Sequence, residues 1–172
     1  MNSRFSRTDH PTHTGSVSLK TMWWVDADQT YDVWKNYPVG SDSLFAIRTT
    51  AGLGRITVAA KGDVLVSENS LLICTSASLK RYRCENERWR FWWFEFKHAG
   101  VVHFPIDRKI HVPRLPDEEE RCETLFRKLS GGGFVAATIP STQFLTMLYQ
   151  WIGAWREDSR RHPHQTAIER VM

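Results

Sequence analysis

Short strand-like segments separated by turn residues occupy the chain from residue 61 to residue 96. The segments are residues 64–66, 71–74 and 79–83, and the turn groups are residues 61–63, 68–70 and 84–87. Each segment is too short for a helix, and the residues that flank it favour turns. Turns that recur roughly every 8–10 residues predict a small β-sandwich or barrel.

The last strand of this block is aromatic and has the sequence WRFWWFEF over residues 89–96. Successive side chains of a strand point to opposite faces, so Phe91, Trp93 and Glu95 share one face and the residues between them share the other. Both faces are bulky. This pattern predicts a strand with the interior of a barrel on one side and a helix on the other.

Further strands are predicted before this block. Residues 22–38 are rich in Trp, Tyr and Val and indicate strands that are broken at residues 26–29. Residues 44–50 and 54–59 predict a strand pair joined at the GLG sequence of residues 52–54. The stretch after the aromatic strand contains three prolines and predicts irregular structure.

The apolar period changes to that of a helix after Asp117. Asp117 is a good N-cap residue, and Glu120 three residues later predicts a capping box. Leu125, Phe126 and Leu129 then form an apolar stripe that ends at a run of three glycines. We therefore predict a first helix between Asp117 and the glycine run.

A second helix is predicted over residues 140–158, and it carries a heptad seam. The seam residues Phe144, Leu148, Trp151 and Trp155 are spaced by 4, 3 and 4 residues. Such a stripe either packs on the barrel or contacts a second copy of the chain. Apolar neighbours widen the stripe, so the helix could pack on the barrel and contact a second copy at the same time.

The composition indicates one globular domain. The 172 residues are 41% hydrophobic and 12% aromatic, which is enough for a core. The net charge of +4 is modest and Lys and Arg are scattered, so charge alone does not predict nucleic-acid binding. Three widely spaced cysteines favour a reducing cytosol over a disulfide scaffold. No apolar run approaches the roughly 20 residues of a membrane span, and no signal-peptide core is present. We predict a cytoplasmic protein without membrane contact.

Catalytic and metal-binding patterns are missing from the predicted barrel. No histidine occurs over residues 17–97, whereas metal enzymes built on such barrels use His and Glu on facing strands. Cys74 lies in an apolar strand, which suits an inert thiol, and no serine has a recognisable elbow or neighbouring base. The glycine run lacks the Lys-Ser/Thr of a phosphate loop. We predict no catalytic residue, no metal and no cofactor.

The block of residues 61–96 resembles the N-terminal regulatory domain of AraC/XylS-type transcription regulators. The family run is close to PGDLLLIPPGTPHRYR followed by WRFYWFHF. Residues 68–73 match its first part, residues 80–83 its middle and residues 89–96 its end, and the GLG sequence matches the family's GxG turn. The resemblance covers about residue 23 to the C-terminus. It implies a mainly β fold, a cupin-like β-barrel (jelly roll) followed by two α-helices.

The resemblance also implies an effector-binding pocket. Trp93 falls on the family Trp that stacks on the effector, and Tyr82 falls on a pocket Tyr. Phe91, Tyr37 and Trp23 fall where sugar-responsive members place His, Arg and Thr. Aromatic residues at these three positions predict a drier pocket, because an unpaired buried hydroxyl costs roughly 1–3 kcal/mol.

Two outcomes for this pocket stay open. The small-molecule effector is either a sugar or a flatter aromatic or organic acid, with a charged group that meets Glu95, Arg48, Lys80 or Arg81. Alternatively, the aromatic side chains fill the barrel and leave no site. Lys80 also stands where family members often keep a histidine, which disfavours a metal.

Four parts of the chain follow from the resemblance. They are a flexible N-terminal arm over residues 1–20, an effector-binding barrel over residues 21–116, a helical dimerisation segment over residues 117–158, and a linker with the start of a truncated DNA-binding domain over residues 159–172. In the family the arm can fold over the pocket and the second helix forms an antiparallel coiled-coil dimer. The dimer residues here would be those of the heptad seam.

We therefore expect a homodimeric regulatory domain. It would reach promoter DNA only through a helix-turn-helix domain that follows Met172. One alternative is a metal-dependent cupin enzyme, an isomerase or dioxygenase, which the missing histidines disfavour. Another is a carbohydrate-binding module, which the lack of a secretion signal and the cut-off final helix disfavour.

Overall fold

The computed structural model of the protein describes residues 1–8, 17–35, 42–99, 104–130 and 134–161. Eight strands precede two helices. The strands are β1 (Asn2–Arg7), β2 (Val17–Asp28), β3 (Asp32–Trp34), β4 (Leu44–Val58), β5 (Gly62–Ser67), β6 (Ser70–Thr75), β7 (Leu79–His98) and β8 (Arg108–His111). The helices are α1 (Glu118–Leu129) and α2 (Phe134–Arg161). The predicted mainly β fold with two C-terminal helices is confirmed.

Strands β4 and β7 form the centre of one antiparallel sheet. Strand β7 pairs with β2 and β3 along one edge and with β4 along the other. Strand β4 pairs in turn with β5 and β6, while β1 extends β2 and β8 extends β6. Besides pairing with each other, β7 pairs with two further strands along its length and so does β4. The sheet therefore has two halves that are joined by β4 and β7.

Two predicted turns lie inside these long strands. Residues 52–54 belong to β4 and residues 84–87 to β7, so the prediction of a reversal at either place is wrong. The register shifts around Gly52, where φ is +75°, and a Cβ atom there would lie 1.9 Å from the Arg88 carbonyl oxygen. Glycine thus permits an irregular bend with close strand approach, and pairing continues past it.

Two apolar cores lie on opposite faces of the sheet. The inner core joins residues from both halves, among them Phe45, Ile56, Tyr82, Trp89 and Trp93. The outer core joins the other face of the sheet to both helices. It includes the aromatic residues of β7 that alternate in sequence with those of the inner face. The alternation predicted for residues 89–96 is therefore confirmed.

Helix α1 begins where the sequence predicts it, but its first turn differs. Asp117 has a left-handed backbone (φ 56°) and its side chain makes no capping hydrogen bond, so the predicted capping box is absent. Leu125 and Leu129 are buried as predicted. The carboxylate next in sequence, Glu118, is drawn into the protein instead, where it pairs with Arg48. A buried charge partner outcompetes the local cap.

The heptad seam of α2 packs on the sheet. Phe144 stacks on Phe94 with ring centroids 4.8 Å apart, and Trp151 lies 5.8 Å from the same ring. Phe144, Leu148 and Trp151 are fully buried within one chain, and Trp155 is half-buried. This corrects the prediction of dimer contacts through the seam, because the three buried side chains have no surface left for a second copy.

The N-terminal segment is also more structured than predicted. Asn2–Arg7 forms β1 and pairs with β2 from Thr21 to Asp26, and residues 17–20 already belong to β2. Over residues 2–7, ordered pairing is found where a flexible arm was predicted, because the backbone groups of β1 have partners along the edge of β2. The predicted linker over residues 159–172 lies almost wholly outside the described residues.

Candidate ligand-binding cavity

A cavity of about 220 Å³ opens into the inner face of the sheet near its β1 edge. It lies among β1, β2, β7 and the residues that flank β3. Its lining residues are Ser3, Trp23, Val25, Tyr31, Lys35, Tyr82, Phe91 and Trp93. Five of the eight are aromatic, so its walls are rigid and largely apolar.

The aromatic rings of the cavity support one another. Trp93 lies 4.7 Å from Tyr82 and 5.1 Å from Phe45 of the inner core, measured between ring centroids. Tyr31 lies 5.8 Å from Tyr82 and 6.2 Å from Phe91. Tilted contacts at these distances are favourable aromatic geometries. The walls are therefore fixed by packing that extends beyond the cavity.

Polar groups in the cavity are few. Burial raises the pKa of the Tyr31 hydroxyl to about 12, and a hydrogen bond with Tyr82 opposes part of this rise. The Lys35 ammonium lies 5.8 Å from the Tyr82 ring centroid. Burial lowers the pKa of Lys35, and the charge of Glu95 opposes that effect. The cavity therefore combines two phenol groups with one half-buried cation.

Glu95 lies in a second cavity that shares the Trp23 side chain with the first. Its carboxylate accepts hydrogen bonds from Thr21 Oγ1 at 3.1 Å and Ser43 Oγ at 2.9 Å. The Lys20 ammonium lies 3.5 Å away. This carboxylate is thus held by three partners at the edge of the aromatic cavity.

Four of the predicted effector residues are brought together. Trp23, Tyr82, Phe91 and Trp93 all line the aromatic cavity, and Glu95 is adjacent to it. Tyr37 lies outside the described residues. The ligand-binding role of these residues stays a prediction, but their common location is a structural fact.

The other predicted charged groups lie elsewhere. Arg48 is buried on the outer face against Glu118, Lys80 is exposed, and Arg81 pairs with Asp32 on the surface. None of the three lines the aromatic cavity. For Arg48 the alternation along β4 explains this position, because Phe45 and Ile47 face the inner core and Arg48 therefore faces the outer one.

Sequence reasoning missed four lining residues, which are Ser3, Val25, Tyr31 and Lys35. Tyr31 and Lys35 flank the three-residue strand β3, which pairs with residues 81–83 of β7. The available signal was the YDVWK sequence of residues 31–35, an aromatic segment that ends in a cation. Its distance from residues 82–93 along the chain hid the contact.

The described residues do not fit a metal. No group of three or more His, Cys, Asp or Glu side chains comes together within the described ranges. The inner core offers aromatic rings where a metal would need imidazole or carboxylate ligands. His98 packs edge-on to Phe104 on the outer side, 4.8 Å between centroids, and burial lowers its pKa.

Neither α1 nor α2, as far as they are described, combines the length and apolar character needed to cross a membrane.

Comparison with known proteins gives a weak link to transcription regulation. No protein-family model matches the chain. An uncharacterised HTH-type transcriptional regulator of Escherichia coli (strain K12), YidL, is 20% identical over 163 residues. The match covers 92% of this chain and 55% of the relative. The chain thus spans about half the length of the curated relative it matches.

Solved structures are similar at the level of the fold. The protein YhaK from Escherichia coli has a TM-score of 0.51 and 11% identity, over 65% of this chain and 52% of that one. The Cupin_2 domain of an XRE family transcriptional regulator from Enterobacter cloacae has a TM-score of 0.41 and 5% identity, over 58% of this chain and all of that one. At 11% identity, the similarity to YhaK concerns the fold alone.

Proposed function

We propose that this chain is the regulatory domain of an AraC-type transcription regulator and binds a small-molecule effector in the aromatic cavity. One observation carries the proposal: an aromatic-walled space of about 220 Å³ persists beside a closely packed inner core. Protein interiors are otherwise filled to near-crystalline density, so a barrel with a purely structural role has no need of this space. The similarity to an HTH-type regulator supports the regulatory part. The domain binds and does not catalyse.

Strand β1 is the element that would sense the effector. Ser3 lines the cavity, and the Phe5 ring lies 4.9 Å from the Trp23 ring of its wall. Residues 3 and 5 point to the same face of the strand because side chains alternate. A ligand in the cavity would therefore contact β1 directly.

The other face of β1 holds helix α1. Arg4 forms an ion pair with Glu123, and Ser6 Oγ donates a hydrogen bond of 2.7 Å to the Phe126 carbonyl oxygen. Ligand occupancy that favours the docked strand would thereby favour one position of α1. In our proposal this population shift is the signal to the DNA-binding part.

We propose that the homodimer forms through the exposed side of α2 and not through its buried seam. The uncharged stripe, Ile139, Thr142, Thr146, Tyr149 and Gly153, has heptad spacing of 3, 4, 3 and 4 residues. Ile139 and Tyr149 are each 46% exposed. The whole of residues 134–155 lacks a charged side chain, which is unusual for a helix face in water.

The occupant of this stripe would be a second copy in antiparallel orientation. With Thr146 on the two-fold axis, Ile139 faces Gly153 of the second copy. Open space surrounds Gly153, where an added Cβ would meet nothing within 4 Å. The large Ile139 side chain of each copy thus faces the small Gly153 of the other. The same contact occurs at both ends of the helix pair, as two-fold symmetry requires.

A thermal-shift screen of the chain against sugars, sugar acids and aromatic acids tests effector binding. We expect one class to raise Tm, and Trp23→Ala to abolish that shift. The matched control is Trp34→Ala, because Trp34 is 69% exposed and lies outside the cavity. No shift with any class, or an equal shift in Trp23→Ala, would refute the site.

Sedimentation tests the dimer separately. We expect Ile139→Glu to give monomers, since it places a charge in the contact, and Arg156→Glu at the exposed end of the same helix to leave the dimer intact. A monomeric parent chain, or a dimer that tolerates Ile139→Glu, would exclude the stripe as the interface.

A further inference from the structure

We infer that Ser141 of helix α2 positions a β-bulge in β2, and that this bulge turns Thr21 and Trp23 toward the two cavities. Ser141 is thus a positioning residue for the candidate site, although α2 packs on the opposite face of the sheet. The relevance of this role to effector binding rests on the proposed function, whereas the positioning itself does not.

Strand β2 contains one extra residue where it pairs with β7. Leu19 pairs with Phe96 and Thr21 pairs with Glu95, so Lys20 is inserted between two successive pairs. Two residues of one strand that oppose a single step of the partner form a β-bulge. The register of β2 against β7 therefore shifts at Lys20.

The bulge changes the face to which the odd-numbered side chains of β2 point. Before it, Val17 and Leu19 are buried in the outer core. After it, Val25 belongs to the inner core and Trp23 packs against that core, while Met22 lies in the outer one. Side chains alternate along a regular strand, so an extra residue is needed to reverse the order. A regular β2 that kept Leu19 in the outer core would carry Trp23 to the same face, away from the cavity.

Helix α2 binds the backbone of the bulge directly. The Leu19 N–H donates a hydrogen bond of 3.0 Å to Ser141 Oγ. The same hydroxyl donates to the Ala137 carbonyl oxygen at 3.0 Å, one turn earlier in α2. Leu19 is fully buried and Ser141 is 4% exposed, so water does not compete for this contact. Loss of the hydroxyl would leave a buried N–H without its acceptor, which destabilises the bulged arrangement.

The other side of the bulge is held by Glu95. The Lys20 ammonium donates to Ser43 Oγ at 2.8 Å and lies 3.5 Å from the Glu95 carboxylate. Thr21 Oγ1 donates to the same carboxylate at 3.1 Å. The bulge therefore has α2 on one face of the sheet and the Glu95 cavity on the other. A ligand that engaged Glu95 would act on the same backbone that Ser141 holds.

Fluorine NMR of the chain labelled with fluorotryptophan tests the positioning without any ligand. Trp23→Phe identifies the Trp23 signal among those of the eight tryptophans. We expect Ser141→Ala to shift or broaden this signal, because β2 loses the contact that fixes its bulge, and to leave the exposed Trp34 unchanged. The matched control is Thr142→Ala, which removes a hydroxyl that bonds within α2 to the Thr138 carbonyl oxygen and should leave Trp23 unchanged.

Hydrogen exchange of the Leu19 amide tests the link from both faces of the sheet. Ser141→Ala should raise its exchange rate roughly 2- to 10-fold, the range of a neutral hydrogen bond. Glu95→Gln should also raise it, because a weaker hold on Lys20 loosens the bulge from the inner face. The amide of Ile47, in the paired centre of β4, should keep its rate in both variants.

Two results would overturn the inference. An unchanged Trp23 signal in Ser141→Ala would show that the bulge holds its position without the hydroxyl. Equal changes at Trp23 and Trp34, or at Leu19 and Ile47, would show a general loss of stability and no positioning. Neither measurement uses an effector, so a failed thermal-shift screen would remove the proposed function and leave the role of Ser141 standing.

Discussion

The buried ion pair between Arg48 and Glu118 joins the sheet to helix α1, and its removal should have a large effect on stability. The two side chains are 1% and 4% exposed, with Arg48 Nε 2.7 Å and Nη2 3.2 Å from the carboxylate oxygens. Glu118 Oε2 also accepts hydrogen bonds from the Leu115 backbone N–H at 3.0 Å and Trp151 Nε1 at 3.2 Å. We predict that Arg48→Met destabilises the protein strongly, because it leaves a buried carboxylate without its cation.

The expected loss is about 3–5 kcal/mol in the free energy of unfolding, the usual cost of removing one partner of a buried pair. For a chain of this size it corresponds to a fall in Tm of about 6–20 °C. Arg48→Met/Glu118→Gln should recover at least half of the loss, because the amide oxygen of the new side chain still accepts from Leu115 and Trp151 and no buried charge remains.

Urea unfolding followed by tryptophan fluorescence measures these differences. The matched control is Arg81→Met, which removes one half of the surface pair with Asp32 and should change stability little. A loss below about 1 kcal/mol for Arg48→Met, or a double variant no more stable than the single one, would refute the buried-charge argument.

Two further predictions follow from buried groups of the barrel and helices. The three thiols of the native chain, Cys74, Cys84 and Cys122, are all buried, and burial raises their pKa values. At pH 8 they should therefore react with a disulfide reagent far more slowly than the thiols of the unfolded chain. A thiol that reacts rapidly in the native chain would contradict this packing. The raised pKa of Tyr31, about 12 against roughly 10 when unfolded, gives stability that is complete below pH 10 and is lost as the pH rises through 12. Tyr31→Phe should flatten this alkaline decline in urea unfolding while Tyr149→Phe, at an exposed tyrosine, should preserve it; an equal decline in Tyr31→Phe would show that another group is responsible.

Much of the fold could be predicted because it depends on local pattern. The turns before and after β5, the aromatic alternation of residues 89–96 and the apolar stripe of α1 are all set by residues within a few positions of one another. The grouping of Trp23, Tyr82, Phe91 and Trp93 was also predicted, though by family resemblance and not by periodicity.

The wrong predictions share a physical cause. Residues 84–87 favour a turn locally, yet they continue β7 because the strand is paired on both sides of them, up to Cys84 and again from Arg88. Asp117 favours a cap locally, yet the first turn of α1 is governed by the buried pair of Glu118 with Arg48. In each case long-range pairing outweighs a local preference of about 1 kcal/mol.

The sequence by itself determined the two C-terminal helices, several of the strands and the aromatic alternation of residues 89–96, because hydrophobic period and turn chemistry are local properties. Only the tertiary structure decided which face of each element is used. The seam of α2 packs in the outer core, which leaves the uncharged stripe exposed. The pairing of β3 with residues 81–83 of β7 brings Tyr31 and Lys35 to the cavity. Neither outcome is encoded in spacing, since each depends on contacts between residues that are far apart in the chain.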